Sequence, residues 1–60
     1  MRLKEKNGIK MDANQYLNGD WIITVYGIGV EKLRFVGYQN QANAERYFEK
    51  CVKERGEQNG

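Results

Sequence analysis

"KLRFVGYQNQANAERYFEKCVKERG", residues 32–56, reads as a strand running through a glycine into an amphipathic helix. Ala44, Tyr47, Phe48, Cys51 and Val52 recur at the spacing that makes one apolar stripe on a helix. Glu45, Arg46, Glu49, Lys50, Lys53 and Glu54 fall on the remaining surface, and Glu49–Lys53 has the favourable four-residue spacing. The pattern predicts a helix over 41–55, with Asn40 as its N-cap and Gly56 as the left-handed residue that stops it. Residues 57–60 read as a frayed tail. Ahead of the helix, Leu33 and Phe35 alternate with Arg34. Burying an unpaired guanidinium is costly, so Leu33 and Phe35 point inward and Arg34 outward. Gly37 within this strand predicts a bulge or a close approach by the helix, and a bulge there would return Tyr38 to the core side.

Working back along the chain, "DWIITVYGI" from Asp20 to Ile28 is the clearest strand, rich in β-branched and aromatic residues. One face carries Trp21, Ile23 and Val25, all apolar. The other carries Ile22, Thr24 and Tyr26. The glycines of "GIGVE" allow a turn into residues 32–38. Asn18-Gly19 is a favoured hairpin pair, so 13–17 reads as a short strand pairing with 20–28. The fold class expected is α+β: a three-stranded antiparallel β-meander packed on one C-terminal α-helix, over residues 13–56. Asn7-Gly8 is a second turn signal with weaker flanks, which leaves residues 1–12 as either a basic arm or an extra ribbon.

Sixty residues support one domain whose core is near the lower limit for independent folding. With 40% apolar residues there is enough for a sheet–helix sandwich, not for a deep substrate cavity. A single cysteine makes no internal disulfide, and the absence of histidine removes the usual zinc sets and nucleophile–base pairs. Cys51 belongs to the buried stripe and reads as a small core residue. Asp12, Asp20 and Glu31 read as residues of separate turns, so no carboxylate pair forms. Gly27-x-Gly29 lies between two strands without a helix behind it, which argues against a phosphate loop. The expectation is a non-enzymatic protein without metal or cofactor. No apolar run resembles a signal peptide or a membrane span, and the lone cysteine suits a reducing compartment, so the cytoplasm is the expected location. The net charge of +2 lies in the first nineteen residues, through Arg2, Lys4, Lys6 and Lys10 against Glu5 and Asp12. Such a basic segment suits phosphates or an acidic protein surface, as well as plain solubility.

One helix covers one face of a small sheet. The other face would present Ile22, Thr24, Tyr26, Arg34 and Val36, unless Leu3, Ile9 and Met11 fold back over it. "GDWIITVYG…KLRFVGYQNQANAERYFEK" resembles the DNA-binding fold of the arm-site-binding domains of tyrosine integrases and the plant ethylene-response-factor domains. Trp21, Val25, Gly37, Tyr38, Asn40, Ala44 and Glu45 carry the resemblance across about residues 19–55. Most of these are structural positions, so the likeness bears on fold more than on function. It implies a sheet face laid in the DNA major groove and places recognition on Thr24, Tyr26 and Arg34. The sequence departs from those families in offering only Arg34 and Lys32 as sheet cations. DNA is therefore the leading expected partner, contacted by Ile22, Thr24, Tyr26, Lys32 and Arg34 with help from Lys4, Lys6 and Lys10. The alternative is a protein-interaction module anchored by Ile22, Tyr26 and Val36. It could be a phage or mobile-element inhibitor of a host protein, or a homodimer formed through the sheet.

Overall fold

The computed structural model describes residues 1–59, with side chains described through residue 56. Four strands form one antiparallel sheet in sequence order: β1 (Arg2–Lys6), β2 (Ile9–Gln15), β3 (Trp21–Gly27) and β4 (Val30–Val36). A single 3-10 turn, Tyr38–Asn40, leads into the helix α1 (Gln41–Asn59). The α+β class and the C-terminal helix are as expected; the strand count is not. Residues 1–12, expected as an arm or a ribbon, supply β1 and the start of β2. Asn7-Gly8 is the reason. Both residues take positive φ, 54° and 81°, the conformation of the tight two-residue turn whose twist matches its flanking strands.

The second hairpin differs in detail from its sequence signal. Asn18-Gly19 does not form a two-residue turn. Gly19 N–H donates to the Tyr16 carbonyl at 2.9 Å, and Tyr16 N–H donates to Asp20 at 2.8 Å. Leu17, Asn18 and Gly19 therefore make a three-residue loop, closed by Gly19 at φ 92°.

The core lies between the sheet and α1. Ile9, Met11 and Ala13 of β2 and Ile23 and Val25 of β3 meet Ala44, Phe48, Cys51 and Val52 of the helix. Leu3, Trp21, Phe35 and Tyr47 pack around this cluster. Leu3, Ile9 and Met11 thus join the helix-side face; they do not fold over the other one. Phe35 and Tyr47 rings lie 6.0 Å apart, and the Tyr47 hydroxyl donates to the Glu31 carbonyl at 2.6 Å. The helix stripe reads as expected, with Cys51 buried.

Three local expectations change. Gly37 is not a bulge inside β4; at φ 95° it ends the strand, and Tyr38 beyond it is 77% exposed. Asn40 stands at the helix entrance, but its side-chain oxygen accepts from the Asn43 side chain at 3.1 Å while its amide donates to Val36 at 2.7 Å. Gly56 does not stop the helix, which runs through it to Asn59. The reason lies in the opposite end of the sheet. Arg55 reaches the Ile28 carbonyl, and Asn7 Nδ2 donates to Val52 O at 3.2 Å, so two strand turns hold the last part of the helix. The Arg55 guanidinium lies beside Gly8 and Gly29 of those turns. The fraying expected for residues 57–60 lies outside the described side chains.

Candidate functional site

The face of the sheet turned away from α1 is built by strict alternation along the middle strands. On β2, Ile9, Met11 and Ala13 go to the core, so Lys10, Asp12 and Asn14 face out. On β3, Ile22, Thr24 and Tyr26 face out. Pairing then sets these residues side by side: Lys10 opposite Tyr26, Asp12 opposite Thr24, and Asn14 opposite Ile22. On the far side, β4 sets Arg34 opposite Thr24 and Val36 opposite Ile22. Lys32 lies over the Tyr26 ring, 5.8 Å from its centre. β1 adds Arg2 opposite Asp12 and Glu5 opposite Lys10.

At the middle of this face is a hydrogen-bonded group. The Tyr26 hydroxyl donates to Asp12 Oδ2 at 2.6 Å, and Arg2 Nε donates to Asp12 Oδ1 at 2.5 Å. Arg2 also bonds Glu5 at 2.6 Å. The Tyr26 hydrogen bond first, and then the bond and charge of Arg2, hold the Asp12 carboxyl below the usual carboxylate range, against the opposing effect of desolvation. The same bond to Asp12, with desolvation, pushes the Tyr26 hydroxyl up. Asp12 is thus a fixed anion with both oxygens engaged, and it locks the Tyr26 ring across two strands.

Of the residues expected to contact a partner, Thr24, Tyr26, Lys32, Arg34, Ile22 and Lys10 do share the open face. Two of them expose little surface, Ile22 at 7% and Thr24 at 9%. Lys4 and Lys6 are elsewhere. A register shift in β1 puts Lys4 opposite Met11, and Lys6 pairs with Ile9, so both belong to the helix side. There Lys4 Nζ lies 5.8 Å from the centre of the Phe48 ring and 3.9 Å from Glu49. Glu49 therefore meets Lys4 of β1, and among the described residues no ion pair joins it to Lys53.

Sequence reading missed Asp12 and Asn14. The signal was present in "IKMDANQ", where Ile9, Met11 and Ala13 alternate with Lys10, Asp12 and Asn14. Asp12 sits in mid-strand, not at a turn. Around Thr24 the side chains of Asp12, Asn14, Tyr26, Lys32 and Arg34 surround a shallow depression of about 400 Å³, with Tyr16 at its rim.

Charge is distributed unequally over the molecule. The open face carries Arg2, Lys10, Lys32 and Arg34 against Glu5 and Asp12, an excess of two positive charges. The other six basic residues of the sequence are matched in number by the other six acidic ones. Arg2 is committed to its two carboxylates. Among the described residues, Lys10, Lys32 and Arg34 have no carboxylate within 4.0 Å. No helix among the described residues is long and apolar enough to cross a membrane.

No protein-family model, curated protein or solved structure matches the chain.

Proposed function

We propose that this is a small binding module whose open sheet face takes nucleic acid, with DNA as the leading partner and no chemistry performed on it. The observation that carries this reading is the location of the charge: an excess of two positive charges lies on the face that no other element covers among the described residues. A polyanion gains from cations that are not already neutralised, and Lys10, Lys32 and Arg34 meet that condition. Exposed apolar side chains are sparse at the centre of the face, where Ile22 is closed over. At the centre a protein partner would find Tyr26 tied to Asp12 and overlaid by Lys32, and the exposed ring of Tyr16 stands only at the edge. Three cations without a carboxylate neighbour among the described residues fall below the six to ten phosphate contacts of strong binders, so binding is weak and its salt dependence shallower than theirs.

Fluorescence anisotropy with labelled oligonucleotides at low salt tests the reading. Arg34→Ala is expected to fold normally, because Arg34 is exposed and makes no ion pair among the described residues. It should weaken binding and flatten the salt dependence by about one phosphate's worth. A folded Arg34→Ala protein with unaltered affinity and slope would remove the open face as the site. Retention of one lysate protein on the immobilised chain after nuclease treatment, abolished by Tyr26→Ala, would favour protein binding instead.

A further inference from the structure

Accepting that the open face binds nucleic acid, we infer that its ligand is a single strand, DNA or RNA. One base enters the depression over Thr24, and the adjoining phosphate rests on Lys32 and Arg34 of β4. Three features of the face lead there.

The first is width. Three interstrand steps of about 4.8 Å put the outer strand axes about 14 Å apart before any side chain is counted. The duplex major groove is about 12 Å wide and takes a helix or a two-stranded ribbon. A three-stranded meander would be narrower by one step. The fourth strand, which brings Arg2 and Glu5 onto the same face, makes flat entry of the whole face unworkable.

The second is relief. The centre of the face is low, because Thr24 is short and 9% exposed, while longer side chains stand around it. A depression of about 400 Å³ lies within the size range of small-molecule sites. Bases stacked inside a duplex do not reach into such a hollow. An unstacked base of a single strand does, and its edge would meet the Thr24 hydroxyl and the Asn14 amide. Tyr16, 56% exposed at the rim, offers a ring on which that base or its neighbour can stack.

The third is the asymmetry of charge. Asp12 and Glu5 lie on the β1–β2 half, whereas β4 presents Lys32 and Arg34 outward with no carboxylate within 4.0 Å among the described residues. A duplex laid over the face brings phosphates to both halves and sets some against the fixed Asp12 anion. A single strand places its backbone along β4 and turns its base inward. That arrangement keeps phosphate off Asp12.

The test compares labelled single-stranded DNA and RNA of roughly ten nucleotides with the duplex of the same sequence, by anisotropy across a salt series. The expected result is tighter binding of single strands by about tenfold or more, whichever sugar is preferred. The Arg34→Ala slope change should be near 0.7, the single-strand value, and not 0.9. Thr24→Leu, which raises the floor of the depression and removes its hydroxyl, should weaken single-strand binding about tenfold. If Thr24→Leu melts too low to compare, Tyr16→Ala at the exposed rim replaces it, with an expected loss of about fivefold or more. Equal or tighter duplex binding would overturn the inference and leave the nucleic-acid reading intact. Single-strand affinity unmoved in the folded depression variant would overturn the base site. No binding to either form at low salt would overturn both readings.

Discussion

Ile22 and Ile23 are adjacent on β3 and almost equally hidden, at 7% and 6% exposure, yet they are buried by different means. Ile23 points into the helix-side core with Val25, Phe48 and Cys51. Ile22 points to the face that has no second layer, where it is flanked by Asn14 of β2 and Val36 of β4. The middle of β3 is thus protected on both sides, one side by a helix and the other by neighbouring side chains of the sheet, whereas β2 leaves Asn14 exposed on the open face. The consequence for function is direct. The open face is not an apolar surface waiting for a cover; it is a low centre framed by longer polar and charged groups.

Substitutions separate the two kinds of burial, and the largest effect belongs to the helix side. Phe48→Ala is expected to cost about 3–5 kcal/mol through the cavity it leaves, enough to unfold much of so small a domain. Phe48 is 3% exposed, packed by both central strands, and roofed on one side by Lys4. A thermal melt unchanged by this substitution would show that the helix does not hold the sheet in the way described.

The isoleucine pair gives the next effect. Ile23→Ala should cost about 2–4 kcal/mol, since the helix cannot collapse into the space without disturbing Phe48. Ile22→Ala should cost about 1–2 kcal/mol, because its lid consists of side chains able to shift and water can enter the gap. Equal losses measured by urea denaturation would mean the open face is packed as rigidly as the core, and the comparison would fail.

How much of this was legible in advance follows the same division. The helix stripe and the inner face of β3 were readable because each rests on a local period, and Ala44, Phe48, Cys51, Ile23 and Val25 are buried as that period requires. β1 was obscured because its register shifts between Arg2 and Lys4, so that charged residues occupy both faces of an edge strand. β2 had a clean alternation but weak composition, with Lys10, Asp12 and Asn14 outward and only the small Ala13 inward within residues 13–15. Starting the β2 strand at residue 13, with residues 1–12 open between an arm and a ribbon, left Asp12 at a turn and hid the hydrogen-bonded group around it. Tyr38 was misplaced for another reason. Gly37 at φ 95° reverses the direction of the chain, and alternation carries no information across such a residue. The end of the helix was decided by Arg55 and Asn7, contacts between segments far apart in sequence, which no local signal at Gly56 encodes.

The smallest effect concerns Asp12, whose carboxylate joins β1, β2 and β3 across the open face. Its folded pKa is depressed, chiefly by the Tyr26 hydrogen bond and then by Arg2. A depressed carboxyl stabilises the fold above its unfolded pKa of about 3.9, and this contribution disappears as pH falls through the lower folded value. Protonation forces the carboxyl to give up part of its acceptor role toward Arg2 while Tyr26 still needs a partner. Asp12→Asn should therefore cost about 1 kcal/mol at neutral pH, near the worth of one hydrogen bond and a partly exposed ion pair. Because asparagine does not titrate, the gap between the two proteins should close as pH drops below about 4. The measurement is a pair of thermal-melt series from pH 7 down to about pH 2. Parallel curves with a constant gap would show that Asp12 matters for shape alone and that its charge is not held by Tyr26 and Arg2. Converging curves would mark it as the fixed anion of the open face, the group against which any phosphate on that face must be placed.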